Sequence, residues 1–202
     1  LDQGGMALTV AGSTTIESSA TLAVGTSSLT LYGNSINNGS LNAGSGTLSM
    51  SPTSAASQTI GGSGTFTLNH FTVGANSAAT LSVSLSASGT TTISGTLNLG
   101  STTFTSSGSV VLNAGSVLNV GTGTFQASGP ATDNQPGVVN VSGTGTFHFN
   151  GTSQTIPCEP YYNLKLSAAA TYSLGCHQTG SNAIGNNVEV ATGATLDASA
   201  SS

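Results

Sequence analysis

Apolar and polar residues alternate along the chain in many short runs. Leu8-Thr9-Val10, Leu29-Thr30-Leu31, Leu48-Ser49-Met50, Phe66-Thr67-Leu68, Leu81-Ser82-Val83, Leu97-Asn98-Leu99, Val139-Asn140-Val141 and Phe147-His148-Phe149 all carry the pattern. A period of two places the apolar pair on one face of a strand and the polar residue on the other. Gly, Ser and Asn punctuate the runs, as turn residues do. No segment sustains a 3.6-residue period, and Gly recurs too often for a helix to run. The pattern predicts an all-β chain of short strands.

The spacing of the runs narrows the fold. Leu97/Leu99, Leu118/Val120 and Val139/Val141 recur about every 21 residues, and Phe104, Phe125 and Phe147 keep nearly the same interval. Ile93, Leu112 and Ile156 fit a third track. A period of about 20 residues with three strands matches one coil of a β-solenoid, or parallel β-helix. Coils stack about 4.8 Å apart, so like side chains fill a column without voids. The expected core ladder is Phe104, Phe125 and Phe147, with Leu97, Leu118 and Val139 beside it. The stretch from Ala127 to Gly137 holds two Pro where a third strand is due, and reads as a loop bulging from a corner. The alternative fold is a tandem pair of β-sandwiches, which gives the Phe interval no reason to exist.

A longer echo overlies the short one. Gly44–Met50 followed by Ser57–Ile60 (SQTI) resembles Gly143–Phe149 followed by Ser153–Ile156, again SQTI. An aromatic-rich strand follows each copy. Residues 1–202 therefore read as one elongated solenoid, either as two copies of a unit (about 1–100 and 101–202) or as the product of low-complexity drift. Opening on Leu1, the chain reads as a mature or excised piece of something longer.

Composition removes several classes of function. The 202 residues include 1 Lys or Arg and 6 Asp or Glu, so 3% are charged, against about 25% in an ordinary soluble domain. Lys165 is the single basic side chain. Nothing here can neutralise a row of phosphates, which excludes nucleic acid as a partner, and anionic membrane surfaces fail on the same ground. No run reaches the ~18 apolar residues of a membrane helix. The 36% hydrophobic residues are spaced too regularly for a disordered chain.

The stretch Phe149–Ser167 (FNGTSQTIPCEPYYNLKLS) carries a resemblance. Phe-Asn-Gly, a short polar spacer, Gln-Thr-Ile and then Tyr-Asn-Leu resemble the repeats of large secreted β-strand-repeat proteins of bacterial surfaces, of the Bacteroidetes type. Pro157-Cys158-Glu159-Pro160 departs from that pattern, where Gly and Ser are usual. The resemblance implies an adhesin, sheath or fibre protein without enzymatic activity, exported to the cell surface.

Candidate chemistry is sparse. Cys158 and Cys176 lie 18 positions apart, close to one coil. Adjacent coils bring Cα atoms to about 5 Å, within disulfide range. A disulfide there implies an oxidising, extracellular or periplasmic location. A thiol nucleophile is disfavoured because the neighbouring His177 would point to the opposite face. Two Cys and one His make an incomplete metal set. His70, His148 and His177 are scattered, and His148, between two inward Phe, should face outward. Asp2, Glu17, Asp133, Glu159, Glu189 and Asp197 show no recurrence at the coil interval, whereas a glycosidase needs a facing pair. No catalytic residue, metal or cofactor is assigned, and the protein reads as a non-enzyme.

Asn38, Asn140 and Asn150 head Asn-x-Ser/Thr patterns and are candidate glycosylation sites, Asn140 and Asn150 at outward positions. Outward Thr91-Thr92, Thr102-Thr103 and Thr122/Thr124 raise ice binding as a minor alternative, weakened by the Ser, Asn, Gln and His that interrupt the rows. A solenoid ends in unpaired backbone edges, and the sequence shows neither a capping helix nor an end cluster of charge. The expected function is a structural subunit or repeat section of an extracellular bacterial fibre or sheath. Its partner would be itself, joined head to tail by strand addition, with glycans as further partners. The alternative is an adhesin stalk or carbohydrate-binding segment of a larger surface protein.

Overall fold

Short strands form where the alternation places them. Ser28–Leu31, Thr47–Met50, Thr103–Ser106, Thr124–Ala127, Thr146–Phe149 and Asn163–Leu166 each bury every second residue. The computed structural model describes residues 5–133, 140–175 and 183–199. Among these, all regular structure is β-strand, every strand pair is parallel, and no helix occurs.

The strands wind into a β-solenoid with three faces. The first face begins with Leu8–Val10 and runs through Ser28–Leu31, Thr47–Met50, His70–Val73, Thr91–Ile93 and Val110–Leu112 to Ala131–Asp133. The second begins with Thr14–Ile16 and runs through Ala56–Gly61, Thr96–Asn98 and Val117–Gly121 to Asn140–Gly143. The third holds Leu85–Ala87, Thr103–Ser106, Thr124–Ala127, Thr146–Phe149, Asn163–Leu166 and Asn187–Val190. Thr21–Ala23, Ser40–Asn42 and Thr65–Thr67 form a small sheet that the Leu68–Ala87 bridge joins to the third face. In the last coils Thr155–Ile156, Thr171–Leu174 and Thr195–Asp197 pair with one another. Strands of consecutive coils are parallel because each returns to its face only after a full turn. Leu8 lies beside Leu29 and Phe104 beside Phe125. A sandwich of hairpin-linked antiparallel strands is thereby ruled out.

The core is a set of columns. On the third face Leu85, Phe104, Phe125, Phe147, Leu164 and Val188 follow one another in register. The bridge carries the same column back through Phe66 and Leu41 to Leu22. Phe104 and Phe125 are fully buried, and Phe147 is 3% exposed. Their ring centroids lie 5.5 Å and 4.9 Å apart, within the range of favourable aromatic pairing. Burying each ring contributes about 1.5–3 kcal/mol. On the second face Leu97 and Leu118 are buried and paired, and on the first Ile93 pairs with Leu112. Ile156 is buried in the last small sheet, beside Leu174.

Three local expectations are corrected. The Leu97–Leu118 column continues to Val141, so the slot assigned to Val139 belongs to a residue two places on. Val139 itself lies outside the described residues. The Pro-containing corner is not all loop, because Ala131–Asp133 pairs with Val110–Leu112. The carbonyl of Pro130 accepts the amide of Val110, a role that needs no N–H from proline. Thr91 does not face outward. It is buried, and its hydroxyl lies 2.9 Å from that of Ser106, which satisfies both.

The 100-residue echo has a counterpart in three dimensions. Gln58 is buried, and its Nε2 donates to the carbonyls of Leu31 at 2.9 Å and Gly33 at 3.3 Å. Gln154 is buried, and its Nε2 donates to the carbonyls of Ala127 at 3.3 Å and Gly129. In both cases the acceptors lie 27 and 25 residues back. Asn69 and Asn163 likewise donate at 2.9 Å to the carbonyls of Ser45 and Thr144, which precede the matching strands. Those strands, Thr47–Met50 and Thr146–Phe149, sit on the first and third faces, fourteen strands apart. On a three-sided coil fourteen strands make four turns and two thirds. The second occurrence is therefore set one face round from the first.

Candidate functional site: end coils and outer faces

Strands at either end of the winding have a neighbour on one side only, as do Ala131–Asp133 and Asn140–Gly143, where the first and second faces stop among the described residues. At one end Leu8–Val10, Thr14–Ile16 and Thr21–Ala23 are edge strands among the described residues. They surround an open, mostly apolar cavity of about 470 Å³, lined by Leu8, Val10, Ile16 and Leu22 with Thr14, Glu17 and Thr21 at its polar margin. At the other end Asn187–Val190 and Thr195–Asp197 are the edges. Val188 and Val190 there pair with Leu164 and Leu166 and hold core positions of the alternation, yet they are 42% and 43% exposed. Both ends thus present apolar side chains together with a row of backbone donors and acceptors, which is how strands recruit further strands.

The outer faces are hydroxyl- and amide-rich. Thr9, Thr30, Ser49, Thr72, Thr92, Val111 and Thr132 form one outward row along the first face. Thr103, Thr124 and Thr146 form another on the third. Ser49 and Val111 interrupt the longer row.

Charge gathers at one place. Gln126, His148, Lys165 and Glu189 succeed one another outward on the third face. The expected outward position of His148 holds, although the ring is half-buried and its Nε2 lies 2.6 Å from Ser167 Oγ. Lys165 Nζ reaches Glu189 Oε1 at 2.8 Å, a partly exposed pair worth little by itself. Burial, aided by the Lys165 charge, lowers the His148 pKa from its ordinary value, and Glu189 opposes the shift. At neutral pH His148 is therefore uncharged. The unfolded chain takes up its proton first on acidification, so stability is lost as pH falls below about 6.5, the unperturbed imidazole value. Thermal melts at pH 7.5 and 5.0 check this: His148→Gln should flatten the drop between them. Near the chain's end the Ser199 hydroxyl and amide donate to Asp197 Oδ1 at 2.6 Å and 2.9 Å, which holds that carboxyl below its ordinary range.

The other candidates fall in separate places. Cys158 is described, and its sulfur lies about 3.7 Å from where a Cβ on Gly175 would stand. Cys176, the next residue, lies outside the described residues, as do Asp2 and His177. Asn38 Oδ1 accepts the Ser63 amide and hydroxyl at 3.2 Å and 3.3 Å, and Asn150 Oδ1 accepts the Ser128 hydroxyl at 2.7 Å. Asn140 pairs with Val117 in the second face. Glu159 is buried, whereas Glu17 and Glu189 are exposed. Among the described residues no three His, Cys, Asp or Glu gather where they could hold a metal ion. Among the same residues no helix is long and apolar enough to cross a membrane. Comparison with family models, curated proteins and solved structures finds no match to this chain.

The residues missed from the sequence are Gln58 and Gln154. The repeated SQTI showed that the position recurs. It did not show that a buried amide ties its coil to two carbonyls of the coil before it.

Proposed function

We propose that this chain is a structural subunit or repeat section of an extracellular bacterial fibre or sheath, and that it works by adding strands end to end. The observation that carries this reading is the in-register column from Leu22 to Val188, whose last strand leaves Val188 and Val190, at core positions, 42% and 43% exposed. Parallel edge strands lie at both ends, Thr21–Ala23 at one and Asn187–Val190 at the other, and the edge of one copy can extend the ladder of the next. Joined in that way the chain makes an open filament, because the contact is head to tail and does not close. The function proposed is mechanical, with no catalytic role. The resemblance of Phe149–Ser167 to secreted surface repeats supports the same assignment.

Electron microscopy of the purified chain tests it. Filaments whose axial spacing matches the coil stack, about 4.8 Å, are the expected result. Dispersed rods would favour the second reading, an adhesin stalk or carbohydrate-binding segment. The outward Thr row favours ice binding as a third, which measurable thermal hysteresis would support.

An extracellular location is supported by the sulfur of Cys158 standing beside the residue that precedes Cys176, and by a surface whose hydration rests on hydroxyls and amides. Intact mass and a non-reducing peptide map should show a Cys158–Cys176 bond and glycan at one or more of Asn38, Asn140 and Asn150. A bare mass of 19.5 kDa from the native source would remove the glycans, and free thiols would remove the disulfide.

A further inference from the structure

We infer that the solenoid carries a seam between the coil that ends with Thr146–Phe149 and the coil that starts with Thr155–Ile156, across which the last coils open as a unit. One coil earlier, Val110–Leu112, Val117–Gly121 and Thr124–Ala127 each pair with a strand of the next coil, so three ladders hold the two together. At the seam two of the three stop. Ala131–Asp133 is the last strand of the first face and Asn140–Gly143 the last of the second, while Thr155–Ile156 starts a separate sheet. Among the described residues only the third face runs through, from Thr146–Phe149 to Asn163–Leu166. Beside the interrupted first face lies a cavity of about 530 Å³, lined by Pro130, Ala131, Thr132, Ser153, Thr155 and Pro157.

Two prolines account for the break. Counted from the matching Gln58 and Gln154, Pro130 stands where Asn34 does and Pro157 where Gly61 does. Around Gln58 the ladder holds. Ser35 lies beside Ile60 and Ile36 beside Gly61, and Asn34 Oδ1 accepts the Thr59 amide at 2.8 Å. The Ile60 carbonyl accepts the Ser82 amide of the following coil, so Thr59 and Gly61 turn their backbone groups back to the coil before. Around Gln154 the orientation recurs, because the Ile156 carbonyl accepts the Gly175 amide at 2.9 Å. Residue 157 is then the one that must donate back to the first face, and proline has no N–H. Pro130 likewise lacks the side-chain oxygen with which Asn34 meets the next strand. Across the seam run the third-face ladder, the Gln154 amide on the carbonyls of Ala127 and Gly129, and Tyr161 packed 5.2 Å and 6.2 Å from Phe147 and Phe149. Parts of a structure held by fewer backbone ladders open at lower free energy than its body. The seam therefore sets where the chain yields, whether or not copies join end to end.

Native-state hydrogen exchange on the full chain, read amide by amide by nuclear magnetic resonance, tests this. The hydrogen-bonded amides of Asn163–Leu166 and Thr171–Leu174 should share one protection factor, about tenfold or more below that of Thr103–Ser106 and Thr124–Ala127. Pro130→Asn with Pro157→Gly installs the residues of the closed counterpart, and glycine keeps the backbone carbonyl that accepts the Tyr161 hydroxyl at 2.9 Å. That double variant should raise the protection of both late strands toward that of the earlier coils. Fraying from the end of the winding would instead give a gradient, with Asn163–Leu166 as protected as Thr124–Ala127, and would overturn the seam. So would low protection that the double variant leaves unchanged. If the double variant does not fold, the comparison within the parent chain decides by itself.

Discussion

Phe125→Ala should lower the free energy of unfolding by about 3–5 kcal/mol, the range for truncating a buried aromatic. The ring is fully buried and lies between two others, 5.5 Å from Phe104 and 4.9 Å from Phe147. Removing it leaves a gap in the middle of a column whose walls are backbone ladders, and a ladder cannot collapse inward without breaking the hydrogen bonds on either side. The loss should therefore sit at the upper end of that range. Gln126→Ala, the next residue along the same strand, faces outward and should cost less than about 0.5 kcal/mol. Denaturant titration of the two variants beside the parent measures the contrast. Equal effects would mean that Phe125 is not in a core.

Gly121→Ala should cost about 2–5 kcal/mol, from two sources that other glycines separate. Gly121 has φ +62°, where an L-residue is strained by about 1–2 kcal/mol. A Cβ there would also stand 2.3 Å from the Gly100 carbonyl oxygen in the coil below. That neighbour is backbone, so relief means prising coils apart, an overpacking cost of about 1–3 kcal/mol. Gly115 has φ +77° but open space around its Cβ position, so Gly115→Ala reports the strain alone. Gly12 has neither the positive φ nor a neighbour within 4 Å, and Gly12→Ala should be close to neutral. Chemical denaturation of the three variants should give losses in the order Gly121, Gly115, Gly12. A Gly121→Ala protein as stable as the Gly115→Ala protein would deny the close contact between coils at that corner.

Most of the architecture was legible because solenoid packing makes the sequence repeat itself. A column admits only side chains of similar bulk, so Phe104, Phe125 and Phe147 recur at the interval of the coil, and the alternation around each says which way it points. The same logic failed where spacing wavers. Val139 and Val141 both belong to an alternating run, and the offset between paired residues grows from 21 at Val110–Ala131 to 23 at Leu118–Val141, which gives the column to Val141. No hydrophobic pattern encodes that shift. Thr91 was misplaced because an inward hydroxyl looks like an outward one until its partner, Ser106, arrives from the other side of the tube. The strand at Ala131–Asp133 was hidden by Pro130, which breaks strands in general but here supplies only a carbonyl at an edge.

The candidate site was less legible than the fold. Which apolar residues end a column depends on where the described coils stop, and Val188 and Val190 look in sequence like any other core pair. The amide clamps of Gln58 and Gln154 were visible as a repeated word without a meaning. Their partners lie 25 and 27 residues away, so only the winding of the chain brings donor and acceptor together.

Contacts between phenylalanine rings in solution test the stacked coil most directly. With the six Phe labelled, nuclear Overhauser effects should connect Phe104 with Phe125 and Phe125 with Phe147. Residues 21 and 22 positions apart in a strand-rich chain meet in this way only when successive coils lie in register. A resolved spectrum in which these three rings show no mutual contact, or exchange freely with solvent, would contradict the solenoid and every joint built on it.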